Sequence, residues 1–270
     1  MTSTRRSVLV ALAAGTGLVL AACGTGSSGS TAPASSAAPA SSSAAAPAVK
    51  VVAATSWEGA LAKAAGATDI TVIAPANLTH AADYDPKPAD LTAVAGADYI
   101  LYAEFEGFAG KLKEASGSKG QLVAMTLENT PGAVRTEVTR LAGMFGTTAA
   151  AQTWLTTFDT EYAALSAKVK AALPATPPSV VSQAFMAYWA KDFAGLGVVG
   201  TYGPQQITPA QLKDLTAKKP AMVVANAHMP GDPEIAGAPQ VTLVNYPGED
   251  LDLLSVFRTN ADLLTKALAG

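Results

Sequence analysis

Three features of the 270-residue sequence predict an α/β fold of two βα lobes, with mainly parallel sheets, a long backbone helix joining the lobes and a ligand cleft between them. From Val49 onward, short β-type runs alternate with amphipathic helical stretches, the pattern of parallel sheets covered by helices. After Pro131 the alternation gives way to two successive helical stretches, the second of them long. It then resumes beyond "PATPP", so that lobes at 49–130 and 176–270 flank connecting helices at 131–175.

The elements follow in order. "VKVVAAT" reads as a strand, "SWEGALAKAAG" as a helix, "DITVIAP" as a strand, and "PADLTAVAGA", opening on Pro88, as a helix. "DYILYA" is a strand, "FEGFAGKLKEAS" a helix and "QLVAM" a strand. The connecting helices are "GAVRTEVTRLAGMFG" and "TAAAQTWLTTFDTEYAALSAKVKAAL". In the second lobe come "SVVSQ" as strand, "FMAYWAKDFA" as helix, "LGVVGTY" as strand and "TPAQLKDLTAKK" as helix. "AMVVAN" and "QVTLVN" are strands, and "DLLSVFRTNADLLTKALA" is the closing helix. Tyr188, Trp189 and Phe193 recur at helical spacing and read as core.

Ahead of the lobes, Arg5 and Arg6 precede an uncharged stretch from Val8 to Ala22. It is too short, and too interrupted by Gly and Thr, to span a bilayer, so residues 1–22 read as an export signal. The paired arginines fit either the general or the twin-arginine route. Leu20-Ala21-Ala22-Cys23 is similar to a lipoprotein box, which implies lipidation of Cys23, the only cysteine. Residues 24–48 contain only Gly, Ser, Thr, Ala and Pro. Such a composition has nothing bulky to bury and reads as a disordered tether, with a reach of about 25–30 Å.

With Cys23 lipidated, the lobes hold no thiol. Disulfides are excluded, and any metal must be held by imidazole, carboxylate, carbonyl or water. A formal net charge of −3 with scattered lysines gives no basic stripe and argues against nucleic acid. No Gly-x-Ser-x-Gly, phosphate-loop or His-Glu-x-x-His pattern occurs, and "GLGVVG" at 195–200 has its glycines before and inside a strand, so no enzyme is predicted.

Ligands of open α/β sheets bind beyond the carboxyl ends of the strands. There the sequence places His80, with Asp83 and Asp85, after the second strand, and Glu104 and Glu106 after the third. Gln183, His228 and Asn245, the last followed by Glu249 and Asp250, lie past strands of the second lobe. Both histidines of the chain thus belong to a candidate set of N and O donors, whereas any one of them alone would read as a solvated loop residue or a helix cap.

The segment "LTHAADYDPKPADLTAVAGADYILYAEFE" resembles the Pro-His-x-Tyr-Glu-Pro-x-Pro-Ser-Asp region of the zinc- and manganese-binding solute-binding proteins of ABC importers. The match places His80 on the family's first ligand histidine, with Asp85, Pro86, Pro88 and Asp90 following the pattern. "LLSVFRTNADLLTKAL" resembles the family's closing helix. By the same resemblance "QAFMAYW" puts Gln183, and "NYPG" puts Asn245, where the family has its third and fourth ligands. At the second, "MTLENTPGAV" offers no histidine, and Glu128 is its only charged group. His228, with Glu104 or Glu106, would then complete the shell for Zn²⁺, or for Mn²⁺ as the less favoured ion. The resemblance implies a monomeric receptor, lipid-anchored on the outer face of the cytoplasmic membrane, that serves an ABC permease and its ATPase. Two alternatives stand beside it. One is a receptor for a metal chelate, its cleft lined by Tyr102, Phe105, Tyr188 and Trp189. The other is a metal-free surface interaction protein.

Overall fold

The computed structural model describes residues 48–269, which belong to one compact unit spanning 46–270. The expected signal, Cys23 and almost all of the tether lie outside the described residues. Among the described residues no helix is long and apolar enough to cross a membrane.

Among the described residues eight strands form two four-stranded sheets. The first contains β1 (Lys50–Ala53), β2 (Asp69–Val72), β3 (Tyr99–Tyr102) and β4 (Gln121–Ala124) in the order β2-β1-β3-β4. The second contains β5 (Ser179–Gln183), β6 (Gly197–Tyr202), β7 (Met222–Asn226) and β8 (Gln240–Leu243) in the order β6-β5-β7-β8. Every pairing is parallel. The two orders are the same, so each lobe reverses its winding between its first and third strands. That is where an open α/β sheet leaves a crevice for a ligand.

Burial on both faces explains the apolar runs of the central strands β1, β3, β5 and β7, whereas the edge strands β2, β4, β6 and β8 are partly exposed. Val51 and Leu101 point to one side of the first sheet, and Val180 and Val224 to one side of the second. These join a single core with the helices α1 (Ser56–Ala64), α4 (Pro131–Phe145), α5 (Thr148–Ala171) and α7 (Leu253–Leu268). Their neighbours Val52 and Ile100 turn the other way, under α2 (Pro88–Ala95) and α3 (Ala109–Ala115), with Val94 and Leu112. Val181 and Val223 do the same in the second lobe, with Leu215 of α6 (Pro209–Ala217). This is the alternation that a pleated strand imposes.

The connection is made by α4 and α5. Thr130 caps α4 and accepts from the Ala133 amide at 3.3 Å, Pro131 opens its first turn, and Gly146 ends it at φ 73°. At that angle a side chain would be strained, whereas glycine is not. The 24-residue α5 is about 36 Å long at the α-helical rise. It is held to the C-terminal lobe by aromatic packing: Trp154, Phe158 and Tyr162 succeed one another along its inner face, and Phe158 and Tyr162 meet Phe257 of α7. Trp189 and Phe193 complete the cluster.

Two predicted helices differ in the structure. The stretch from Phe105 forms a turn first and becomes α3 only at Ala109, because the turn is fastened by Gly107 N donating to Ala82 O at 2.9 Å and by Ala103 N donating to the Glu106 carboxylate at 2.9 Å. The stretch at 185–194 is a 3₁₀ turn at Ala184–Met186 followed by a π turn at Trp189–Phe193. Its aromatic pair Trp189 and Phe193 is fully buried, as the spacing predicts.

Candidate metal-binding cleft

The carboxyl ends of the two sheets face each other. Ser56, at the start of α1, donates through Oγ to Pro247 O at 2.8 Å, and Lys63 Nζ donates to Asp250 O at 2.6 Å. Asn129, beyond β4, donates through Nδ2 to Oδ1 and the main-chain O of Asn245 at 3.2 and 3.3 Å. The loops that follow β1 and β4 thus meet the loop that follows β8.

His80 and His228 lie beyond strands of opposite lobes, and the His228 imidazole reaches the Thr79 backbone, one residue from His80. His80 is exposed and stands at the N-terminal boundary of a 3₁₀ turn, Ala81–Asp83. His228 follows β7, where its main-chain N–H is held by Asn226 Oδ1 at 2.9 Å. Burial holds the His228 imidazole below its ordinary pKa; a hydrogen bond to the Thr79 backbone opposes that shift, and the proximity of His80 adds to it. The shift favours the neutral imidazole, the form that ligates metals. Its ring lies against Tyr246, with centroids 4.7 Å apart, and Tyr246 in turn meets Trp57 edge-on at 5.3 Å. Tyr246 N lies 3.5 Å from His228 Nε2, a long contact for a hydrogen bond.

The predicted carboxylate donors take other roles. Glu104 is exposed and paired with Lys113 at 2.8 Å, and Lys113 also lies over the Tyr102 ring. The lysine hydrogen bond holds the Glu104 carboxyl below its usual range. Glu106 is buried, and its partner is Glu58, which is buried completely. Glu58 Oε2 accepts from Thr55 N at 3.1 Å and from the Thr55 hydroxyl, the reciprocal cap that starts α1. Each of the two glutamates retains a buried oxygen, Oε1, without a hydrogen-bond partner. Their carboxyls are close enough for each to act on the other's ionisation. Desolvation first, and then the charge of Glu58, push Glu106 up to about 10; burial likewise raises Glu58.

The predicted amide donors are engaged as well. Gln183 Oε1 accepts from Phe185 N at 2.7 Å, and its Nε2 sits 3.3 Å from the Met229 sulfur. Asn245 is taken by Asn129. Of the acidic residues after His80, Asp85 is ion-paired with Lys111, while Asp90 accepts from Tyr84 OH at 3.0 Å and Lys87 N at 2.7 Å, which anchors the start of α2. Among the described residues no group of three or more His, Cys, Asp or Glu is arranged to hold a metal ion. Glu104, paired with Lys113, and Glu106, beside Glu58, form no group of that kind with the two imidazoles. Of the side chains that would line a wider cleft, Tyr102 and Trp189 are buried in the core, Tyr188 donates to or accepts from Tyr162 OH at 2.8 Å, and Phe105 is exposed.

Residues the sequence reading missed are Glu58, Trp57, Tyr246 and Met229. The Thr55-x-x-Glu58 spacing is a capping-box pattern and was available as a signal. Nothing local marks Trp57 and Tyr246, which meet through packing between lobes, while Met229 follows His228 beyond β7 and contacts Gln183 of the same lobe.

No protein-family model matches the chain, and no curated protein matches it. Solved structures do. The laminin-binding protein Lmb of Streptococcus agalactiae, described as bifunctional with adhesin and metal transporting activity, is 20% identical over 82% of this chain and 99% of its own, with a TM-score of 0.61. The solute-binding protein FpvC of Pseudomonas aeruginosa, in complex with Mn²⁺, is 15% identical over 82% and 98%, at 0.61. A Zn(II)-bound variant of AdcAII of Streptococcus pneumoniae is 19% identical over 82% and 99%, at 0.58. The chain has the fold of these metal-binding solute-binding proteins. That fold is the two-lobed α/β arrangement predicted from the alternation of strands and helices.

Proposed function

We propose that the chain is the extracytoplasmic solute-binding component of an ABC importer, capturing a divalent metal ion between its lobes, with zinc ahead of manganese. The observation that carries the reading is the placement of His80 and His228, the only histidines of the sequence, beyond strands of opposite lobes, with the His228 imidazole against the Thr79 backbone. Imidazole donors favour Zn²⁺ over Mn²⁺, which prefers oxygen donors. The solved structures that share the fold include Mn²⁺- and Zn(II)-bound proteins, which supports the same class of cargo. Export with lipidation at Cys23 would keep the monomeric receptor at the outer face of the cytoplasmic membrane, within reach of a permease driven by its ATPase. The site is a binding site and not a catalytic one.

The test is equilibrium dialysis of the metal-stripped protein against Zn²⁺ and Mn²⁺, with bound metal counted by mass spectrometry. One zinc per chain, lost on mutating both histidines, is the expected result. No bound metal of either kind would move the reading to a metal-free interaction protein on the same fold, for which the engagement of the Asn245 amide oxygen by Asn129 Nδ2 is the observation in favour.

A further inference from the structure

We infer that Glu58 and Glu106 form a second cation site, independent of the two histidines, which takes a small hard divalent ion of the Mg²⁺ or Mn²⁺ kind at the winding reversal of the first sheet. The strands set its geometry. β1 and β3 pair with Ala53 opposite Leu101, and Ala54 N donates to Leu101 O at 2.9 Å, so Thr55 and Ala103 leave the sheet side by side. Each of these residues donates its main-chain N–H to the glutamate three positions on: Thr55 N to Glu58 Oε2 at 3.1 Å, and Ala103 N to Glu106 Oε2 at 2.9 Å. Neighbouring strands lie about 5 Å apart. Two equivalent main-chain bonds therefore hold the two carboxyls next to each other, where the sheet leaves a crevice.

What separates this pair from an acidic patch is its burial. Glu58 and Glu106 are 0% and 3% exposed, and Oε1 of each is buried with no hydrogen-bond partner. Among the described residues no lysine, arginine or histidine forms an ion pair with either. In solvent, water would satisfy those oxygens, whereas here only a bound cation or a proton offsets the cost. The main-chain bonds do not explain why both residues are acids. A glutamine accepts the same kind of N–H, as Gln211 Oε1 does from Thr208 N in the cap of α6. The negative charge of the pair thus has a use beyond capping.

The class of ion follows from the donors. Two carboxylates carry two negative charges, which one divalent ion neutralises, and their oxygens are the hard donors that Mg²⁺ and Mn²⁺ prefer. Tyr246, from the loop after β8, lies edge-on to Trp57 and packs on the apolar cluster that contains Ala54 and Tyr102, the residues just before Thr55 and Ala103. It brings apolar surface to this end of the sheet, and a drier surrounding strengthens the attraction between carboxylate and cation. Without an ion, burial favours the protonated carboxyls, so binding of the ion displaces protons to solvent.

Urea unfolding at pH 8 tests this, with metal-stripped protein compared in chelator, in excess Mg²⁺ and in excess Mn²⁺, for the wild type and for His80→Ala/His228→Ala. An ion bound by the folded state alone raises the midpoint. The expected result is a rise with at least one of the two ions, present in both proteins and accompanied by acidification of a weakly buffered solution when the ion is added. Glu58→Gln/Glu106→Gln keeps the acceptors for Thr55 N and Ala103 N and should abolish both the rise and the acidification. Should that variant fail to fold, Glu106→Gln alone removes half of the charge and should do the same. Glu104→Gln, at the exposed neighbour, should leave both effects in place. No rise with either ion would show that the pair holds protons only and overturn the inference. A rise that survives the glutamine variants, or that disappears with the histidines, would place the ion elsewhere and overturn it as well. The zinc reading is decided separately, by the dialysis described above.

Discussion

Asn129 and Asn245 meet across the junction of the two lobes, the Nδ2 of the first donating to the Oδ1 and main-chain O of the second. At the closing edge of the cleft the lobes are thus tied by neutral amides, where a charged ligand would strengthen the hold on a cation. An amide brings no charge to offset the desolvation of a divalent ion.

Restoring charge at this edge should strengthen metal binding. Asn245→Asp keeps the acceptor for Asn129 Nδ2 and adds a carboxylate, as Gln183→Glu does at the end of β5. Each should raise zinc affinity by about tenfold, or about 1.4 kcal/mol, measured by competition against a fluorescent zinc indicator. Unchanged affinity in both variants would place the ion elsewhere.

The Glu58–Glu106 pair sets a pH dependence whose sign is fixed. Both carboxyls have folded-state pKa values above the unfolded value, Glu106 reaching about 10. The stabilisation is complete below the unfolded pKa near 4.5 and is lost progressively as pH rises toward the folded value. Glu106→Gln retains the acceptor for Ala103 N and offers Glu58 a permanent donor. It should flatten the stability profile and raise stability at pH 8 by at least about 1 kcal/mol, as read by urea unfolding between pH 5 and 9. A wild-type profile with no decline over that range would contradict the assignment.

Phe257 joins α7 to α5 and to the π turn, with Phe158 and Trp189 at centroid distances of 5.3 and 4.9 Å, and it is fully buried. Phe257→Ala should cost about 3–5 kcal/mol in denaturant unfolding. A loss under about 1 kcal/mol would mean that the cluster collapses to fill the space.

The architecture was legible because each strand and most helices carry their own periodicity, and because Pro131 announces the connecting helices. The site was legible only in part. His80 and His228 could be placed at strand ends, since a strand end is a local feature. Glu104 and Glu106 could not be told apart: they are two residues from each other, and only the need of Ala103 N for an acceptor turns one inward while Lys113 holds the other in solvent. Tyr102 and Phe105 posed the same difficulty, one becoming core and the other exposed. Trp57 and Tyr246 meet across 189 positions of sequence, a contact that no local pattern encodes.

The most direct test of the central claim is thermal unfolding of the metal-stripped protein with and without excess Zn²⁺ or Mn²⁺, in the wild type and in His80→Ala/His228→Ala. An ion that binds the folded state alone adds about 2.7 kcal/mol at a hundredfold excess over its dissociation constant. The account predicts a raised midpoint with zinc in the wild type and none in the double variant. A midpoint indifferent to both ions, or a rise of equal size in the double variant, would contradict it.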